Sequence, residues 1–554
     1  MKAFTSLFVG LALFTKNILA LWPIPHSYSY GTSNLEVASH GIHIENCGVS
    51  TDILSKALIR YSDLIFSEKF VNPVDYNAGK LETDGTISAL KVNVLTACTD
   101  LDVDTDEFYT LNITSTGEAS ITSNTSFGAI RGLETFSQLI SYNYGRKIIK
   151  NVPISISDKP SFTYRGLMID TARNYYSVDS IKRTMDGMVY SKLNVLHWHI
   201  VDSQSWPIES LFDPQLYIKG SYAPEMVYTR QNVLDVISYG KERGIRVIPE
   251  FDMPGHTYII GLSNPKIMSC LNTQPMWTDH AAEPPSGQFN IAKPEAIEYA
   301  QNIVKEYSAL FPDNVFHVGG DEVNRKCWED DPYVKDFISK NSSLSVDSLL
   351  TGFYSNIYDT ISHVKKTPMC WQETLLHTNF TVPKDTIIQV WIEPEDVPTV
   401  VNKGYRVITS PYMYSYLDCG HGSWLSNDPA GNSWCDPFKT WKKIYSYNPL
   451  VNITDPEKQK LVLGGEVNLW SEQADETNVD KLLWPRAAAA SELYWSGPYM
   501  SGNTTLRNLT EVSARINEHR FRLLARGIDA SPTQPLWCVR NPGMCDLPPS
   551  KPLA

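Results

Sequence analysis

The sequence predicts an α/β chain, a (β/α)8 TIM barrel preceded by a small α/β accessory domain. Three observations carry that prediction. From residue 165 onward, eight short apolar strands alternate with helical stretches. Several of those strands run straight into a carboxylate, a histidine or a tryptophan, which is where a barrel keeps its chemistry. The segment before residue 158 has a different rhythm, with a hairpin and one amphipathic helix. Composition sets the outer limits. The 554 residues are 42% hydrophobic and 20% charged, which is ordinary for a globular chain and too apolar for disorder. The net charge is −13, and no basic stripe is available to release phosphate counterions, so nucleic acid is excluded as a partner.

Residues 1–20 read as a signal peptide: Lys2, an apolar run over 3–14, and small Ala20 at the cleavage edge. That run is too short for a bilayer, which needs about 20 residues. With no other such run, no membrane span is expected, and the destination is secreted, periplasmic or cell-wall. Loss of Lys2 and Lys16 takes the charge to −15. Seven Asn-x-Ser/Thr sequons follow, at Asn112, Asn124, Asn341, Asn379, Asn452, Asn503 and Asn508, and predict glycosylated surface loops. Nine cysteines in such a compartment predict a few staples and one leftover thiol. The accessory domain covers 21–158. It holds a strand at 90–96, a hairpin of 109–114 and 118–122 around Gly117, and a helix over 126–140 with Phe127, Ile130, Leu133, Phe136 and Ile140 on one stripe. Asp158-Lys159-Pro160 reads as a linker. Residues 159–554 are the barrel with a C-terminal helix and tail. Its strands are predicted at 166–170, 195–202, 246–252, 315–321, 367–371, 386–391, 406–410 and 462–470, with helices at 179–192, 230–243, 294–311 and 346–364.

The sharpest local feature is His317-Val318-Gly319-Gly320-Asp321-Glu322. Two glycines permit a tight turn and close approach to a ligand. Two adjacent carboxylates then leave the strand together. Their repulsion, with apolar walls, raises one pKa, and a carboxyl still protonated near neutrality can protonate a leaving oxygen. The plain alternative is a solvated or salt-bridged acid pair. Trp371, Trp391 and Trp470 at strand ends fit a sugar site, because their faces stack on a pyranose; taken singly, each is also good core. Arg173 offers a planar fork for hydroxyls or a carboxylate, or a barrel salt bridge. His197 and His199 share a strand face, and with His256 and His317 they leave open a zinc amidohydrolase-like barrel. Strand parity argues against it, because it points both histidines away from Asp202 unless the strand ends earlier.

Taken together, these segments resemble the β-N-acetylhexosaminidases of glycoside hydrolase family 20, of the secreted eukaryotic, fungal type. The matching pieces are residues 165–173, Val195-Leu196-His197-Trp198-His199, residues 249–256, the 317–322 run, Trp371-Gln372-Glu373, Tyr416-Leu417-Asp418, and Gly464-Gly465-Glu466 through Trp470 and Glu472. In the first unit, Arg131-Gly132-Leu133-Glu134-Thr135-Phe136 resembles the family's accessory domain. The resemblance implies a retaining exo-hydrolase that removes terminal β-linked GlcNAc or GalNAc, from chito-oligosaccharides or glycans, with no cofactor and no metal. Glu322 resembles the general acid/base. Asp321 resembles the residue that orients the substrate's 2-acetamido group, and Tyr416 the one that holds its carbonyl oxygen. Trp371, Trp391 and Trp470 resemble the pocket walls. Arg173, Asp418 and Glu472 resemble the grip on the terminal hydroxyls, and Asp202 and His256 a relay to Glu322. The acetamido oxygen serves as nucleophile, an exception to the two-carboxylate scheme. The resemblance also implies disulfides Cys47–Cys98, Cys270–Cys327, Cys419–Cys435 and Cys538–Cys545, with Cys370 left free, and a homodimer. Cys419 stands where relatives that accept negatively charged sugars carry a basic residue, which implies uncharged substrates. A silent sugar-binding module that kept the pocket is the remaining alternative.

Overall fold

The computed structural model describes residues 21–75, 79–499 and 507–547. The signal segment and the Asn503 sequon lie outside the described residues. The other six sequon asparagines are all exposed.

The accessory unit is one sheet with two helices. Its strands are β1 (Ser27–Val37), β2 (His43–Asn46), β3 (Gly85–Ile87), β4 (Ala89–Val94), β5 (Tyr109–Ile113), β6 (Ala119–Ser123), β7 (Ile140–Asn143) and β8 (Arg146–Asp158). They pair in the order β2-β4-β6-β5-β8-β1-β3, with β7 on β8. The helices are α1 (Asp52–Ser67) and α2 (Ser126–Gln138). Thr51 and Thr125 cap them through side-chain oxygens that accept from Leu54 and Gly128 amides. The predicted strand, hairpin and helix are all present. Helix α2 is buried along its whole length rather than on one stripe. The reason is a second contact on its other side: Arg131 donates to Glu107 and to the Gly244 carbonyl of the barrel, and Arg165 of the barrel pairs with the same Glu107. Asp158 is equally unlike a loose tether. It is buried, and it accepts from Tyr109, Lys192 and Trp495.

The barrel closes from eight parallel strands, β9 (Tyr164–Asp170), β10 (Val195–Val201), β11 (Arg246–Phe251), β14 (Val315–His317), β15 (Thr367–Trp371), β16 (Ile387–Val390), β17 (Arg406–Thr409) and β18 (Val462–Leu469), with β18 back against β9. Between β11 and β14 a long loop carries a two-stranded ribbon, β12 (Met268–Ser269) and β13 (Gln288–Phe289). Side chains alternate along a strand, so the barrel interior is layered. The lower layer is apolar: Tyr164, Val195, Ile248, Val315, Met369, Ile387 and Ile408 form one buried cluster. Two residues further along the same strands stand Gly166, His197, Glu250, His317, Trp371 and Gln389. The upper interior is therefore polar and the lower a hydrophobic plug.

Every predicted barrel strand is found to within about two residues, except one that is four residues shorter. β14 ends at His317, not Asp321, because Gly319 and Gly320 take φ of +63° and +97° and turn the chain out of the sheet. A Cβ built on Gly319 would lie 1.8 Å from Asp252 Oδ1. Gly319→Ala is therefore expected to destabilise the fold by more than the about 1–3 kcal/mol of backbone strain alone. A Tm within a degree of wild type would contradict this.

Three of the expected disulfides are present: Cys270–Cys327, Cys419–Cys435 and Cys538–Cys545, with Cα separations of 5.8, 5.4 and 5.7 Å. Cys370 is free and buried, as expected. The Cys47–Cys98 pairing is not: both are free and exposed. β2 and β4 run parallel with Asn46 opposite Val92, so Cys47 stands level with Asn93 while Cys98 lies beyond the end of β4.

Candidate active site

Asp321 and Glu322 emerge at the carboxyl end of β14, past the double-glycine turn. Glu322 itself holds a positive φ of 49°, a strained conformation of the kind that gathers at functional sites. Its carboxylate is about one-third exposed and lies 3.3 Å from His256 Nε2. His256 Nδ1 is 3.1 Å from Asp202 Oδ1. Burial alone would strip His256 of its charge, but Asp202 and the Asp321–Glu322 pair hold its pKa well above the usual imidazole value. Asp202 is held far below the carboxylate range despite burial, by Arg173, His256 and His199.

Asp321 is buried beside Asp252, with its Oδ1 unpartnered. Burial, and then the charge of Asp321, push the Asp252 carboxyl far up, while Asp252 Oδ1 accepts the Gly320 amide at 2.7 Å. Burial raises Asp321 as well, although His256 opposes it. Asp252 is the more strongly raised of the two, and Asp321 keeps one buried oxygen without a hydrogen-bond partner.

Aromatic rings surround this pair. Trp391 stacks on Tyr416 with centroids 6.2 Å apart and planes 13° from parallel. Trp470 lies 6.2 Å from both Trp371 and Tyr416. Trp371 is fully buried and donates its Nε1–H to Glu250 at 2.7 Å. Trp391 donates to both oxygens of Glu373 at 3.0 Å, and burial with the Asp321 charge lifts Glu373 to about 8. Arg173 closes another side. Its guanidinium stands 4.9 Å from the Trp470 ring centre and reaches Asp170 at 3.2 Å and Asp202 at 3.1 Å. Asp418 accepts from the Trp470 amide at 3.4 Å, and burial raises its pKa to about 7. Burial pushes Glu472 well above the carboxylate range, against the pull of Arg173.

The expected site residues therefore converge at one rim. Two contributors went unread in the sequence. Glu283, on the long β11–β14 loop, takes Arg173 Nε at 2.8 Å and Gln204 at 3.1 Å. Trp434, on the loop strapped by Cys419–Cys435, is 64% exposed yet meets Trp391 and Tyr416 edge-on at 5.8 and 6.0 Å. An exposed tryptophan packed on the rim was the available signal. The parity argument also needs correction. β10 ends at Val201, one residue early, and its pairing with β11 slips after His199. Asp202 swings back, so that His199 Nε2 meets its Oδ2 at 2.8 Å. Both His199 nitrogens are hydrogen-bonded to carboxylates at 2.7 and 2.8 Å, and a zinc set that included His199 would need one of them free, whereas His197 Nε2 and His317 Nε2 have no hydrogen-bond partner beside Glu250.

A family model described as "Glycosyl hydrolase family 20, catalytic domain" matches residues 162–498, and one described as "beta-acetyl hexosaminidase like" matches 21–139. The chain belongs to glycosyl hydrolase family 20. It is 38% identical over 547 residues to a chitooligosaccharidolytic beta-N-acetylglucosaminidase of Bombyx mori, covering 95% of this chain and 89% of that protein. It is 36% identical to beta-hexosaminidase 1 of Coccidioides posadasii, over 85% of this chain and 83% of that one. An insect and a fungal relative thus match about equally, and the fungal type is not singled out. Among solved structures, the chitobiase of Flavobacterium johnsoniae superposes with a TM-score of 0.75 at 26% identity, covering 92% of this chain and 73% of that chain. The family 20 barrel and its accessory unit thus account for both layers of the fold described above.

Proposed function

We propose that this family 20 enzyme is a retaining exo-β-N-acetylhexosaminidase that releases terminal β-linked GlcNAc or GalNAc from chito-oligosaccharides and glycans. The observation that carries the reading is the pairing of a buried Asp321, its Oδ1 free, with a half-open Glu322 linked to His256 and Asp202. Glu322 protonates the glycosidic oxygen. The acetamido carbonyl oxygen attacks C1, and the C1–O bond to the leaving group breaks. The Asp321 carboxylate takes up the charge developing on the acetamido nitrogen, and Tyr416 holds the carbonyl oxygen in line. The product is an oxazolinium with its new bond on the opposite face. Glu322, now ionised, takes a proton from water, which opens the ring at C1 and restores the β configuration. Trp371, Trp391 and Trp470 press on the acetamido group and the sugar face. Arg173 donates to the far hydroxyls and Asp418 and Glu472 accept from them, which makes the pocket a dead end and the cleavage exo. The names of the insect and bacterial relatives support chito-oligosaccharides as substrates.

We further propose that the enzyme is secreted and N-glycosylated. Three disulfides and six exposed sequon asparagines support this, and no helix among the described residues is long and apolar enough to cross a membrane.

Hydrolysis of a chromogenic β-GlcNAc glycoside, set against the matching β-glucoside, tests the function. Without the acetamido group the glucoside offers no nucleophile and leaves Asp321 unpaired. A discrimination of about 10⁴-fold or more in kcat/KM is expected. Comparable rates on both would overturn the reading, as would a product of inverted configuration.

A further inference from the structure

We infer that Glu250, with His199, His197 and Glu466, is a positioning device for the general acid, a buried row of alternating carboxylates and imidazoles that continues the Asp202–His256 pair down into the barrel. The inference rests on the reading of Glu322 as the acid.

The row runs through hydrogen bonds and one ion-pair contact. Glu466 Oε1 lies 2.9 Å from His197 Nδ1, and His197 Nε2, which makes no hydrogen bond, lies 2.9 Å from Glu250 Oε2. That oxygen lies 2.7 Å from His199 Nδ1, and His199 Nε2 lies 2.8 Å from Asp202 Oδ2. Asp202 Oδ1 then meets His256 Nδ1 at 3.1 Å, and His256 Nε2 meets Glu322 at 3.3 Å. Of the seven side chains, Glu322 is about one-third exposed and His256 slightly; those of Glu466, His197, Glu250 and Asp202 are fully buried.

Proton counting gives the row its sense. A neutral imidazole has one N–H to donate. His199 faces a carboxylate with each nitrogen, so either it carries two protons or one carboxylate is protonated. Asp202 is also bound by Arg173 at 3.1 Å, and Glu250 also accepts Trp371 Nε1–H, so both stay ionised. His199 is then an imidazolium. Its pKa agrees: burial alone would lower it, but Glu250 and Asp202 outweigh burial and lift it to about 10. His197 rises to about 9 in the same way, between Glu466 and Glu250. His317 is the exception that fits. Its Nδ1 accepts the Gly319 amide at 3.0 Å and cannot also donate to Glu250, and burial keeps it neutral. Other groups face the row as well: Tyr164 and Gln389 at Glu466, and Asp252 and Asp321 at His256. Charges thus alternate from Glu250 through His199 and Asp202 to His256.

The consequence is geometric. His199 and Arg173 take Asp202 Oδ2, which leaves Oδ1 for His256 and turns its Nε2–H toward Glu322. The other oxygen of Glu250 fixes Trp371, a pocket wall. One carboxylate therefore sets both the partner of the acid and one side of the sugar. An apolar filling would hold the barrel at least as well, because buried ion pairs seldom repay their desolvation. Stability alone does not account for the row.

Glu250→Gln keeps the shape and removes the charge. It is measured on chitobiose, whose leaving group needs a proton, and on a dinitrophenyl β-GlcNAc glycoside, whose leaving group does not. In kcat/KM, which reports the steps up to departure of the leaving group, a loss of about tenfold or more is expected on chitobiose and less than about threefold on the dinitrophenyl glycoside. Equal losses on both substrates, or no loss on either, overturn the inference. Glu322→Gln is run alongside. If it shows no contrast between the substrates, the acid reading falls and the inference with it. If it shows the contrast and Glu250→Gln does not, the inference alone falls. Should Glu250→Gln fail to fold, His199→Gln is held to the same criterion.

Discussion

Glu322→Gln is expected to lower kcat/KM on chitobiose by about 10²–10⁴-fold, the usual worth of a general acid. The amide keeps the size of the carboxyl and can still meet His256, but it has no proton to give the departing oxygen. Substrates that leave without protonation should react with the variant at near wild-type kcat/KM. Purified Glu322→Gln that hydrolyses chitobiose at wild-type rates would remove Glu322 from the reaction.

Asp321→Asn is expected to cost about 10²–10³-fold in kcat/KM, as does loss of one aimed electrostatic group elsewhere. Its signature differs from that of the acid. Asp321 acts on the nucleophile, so good and poor leaving groups should slow alike. Stability should not fall. Burial and the charge of Asp321 push the Asp252 carboxyl up, burial raises Asp321 itself, and asparagine at 321 removes that buried charge. A Tm equal to or above wild type, with activity lost on both substrates, is the expected pair of results. Loss confined to the poor leaving group would reassign Asp321 to proton transfer.

The barrel was legible because its strands are buried on both faces. Each reads as a short apolar run that ends in a polar residue, and that ending marks the catalytic rim. Much of the accessory sheet was not legible. β1 and β8 pair with each other but carry half-exposed, polar sequences, and Pro153 interrupts β8. Helix α1 buries Leu54, Ala57, Tyr61 and Ile65 at helical spacing, a signal present in the sequence but not read there. Within the site, the residues at strand ends were found from the strand pattern, the roles of the loop residues Tyr416, Asp418 and His256 came only through the family resemblance, and Glu283 and Trp434 were not found. Glu283 precedes Pro284-Pro285 in a segment without periodicity, and only the folded loop brings it to Arg173. Asp202 was misoriented because strict alternation fails where a strand ends early and its register slips.

The hydrophobic plug gives the barrel the form of a flask with one neck. Seven apolar side chains seal the lower mouth, so water can reach the charged layer only from the sugar side. A ligand seated against Trp470 would act as a stopper, and solvent hydrogen exchange at His199 and Trp371 should then slow to the ligand's own dissociation rate.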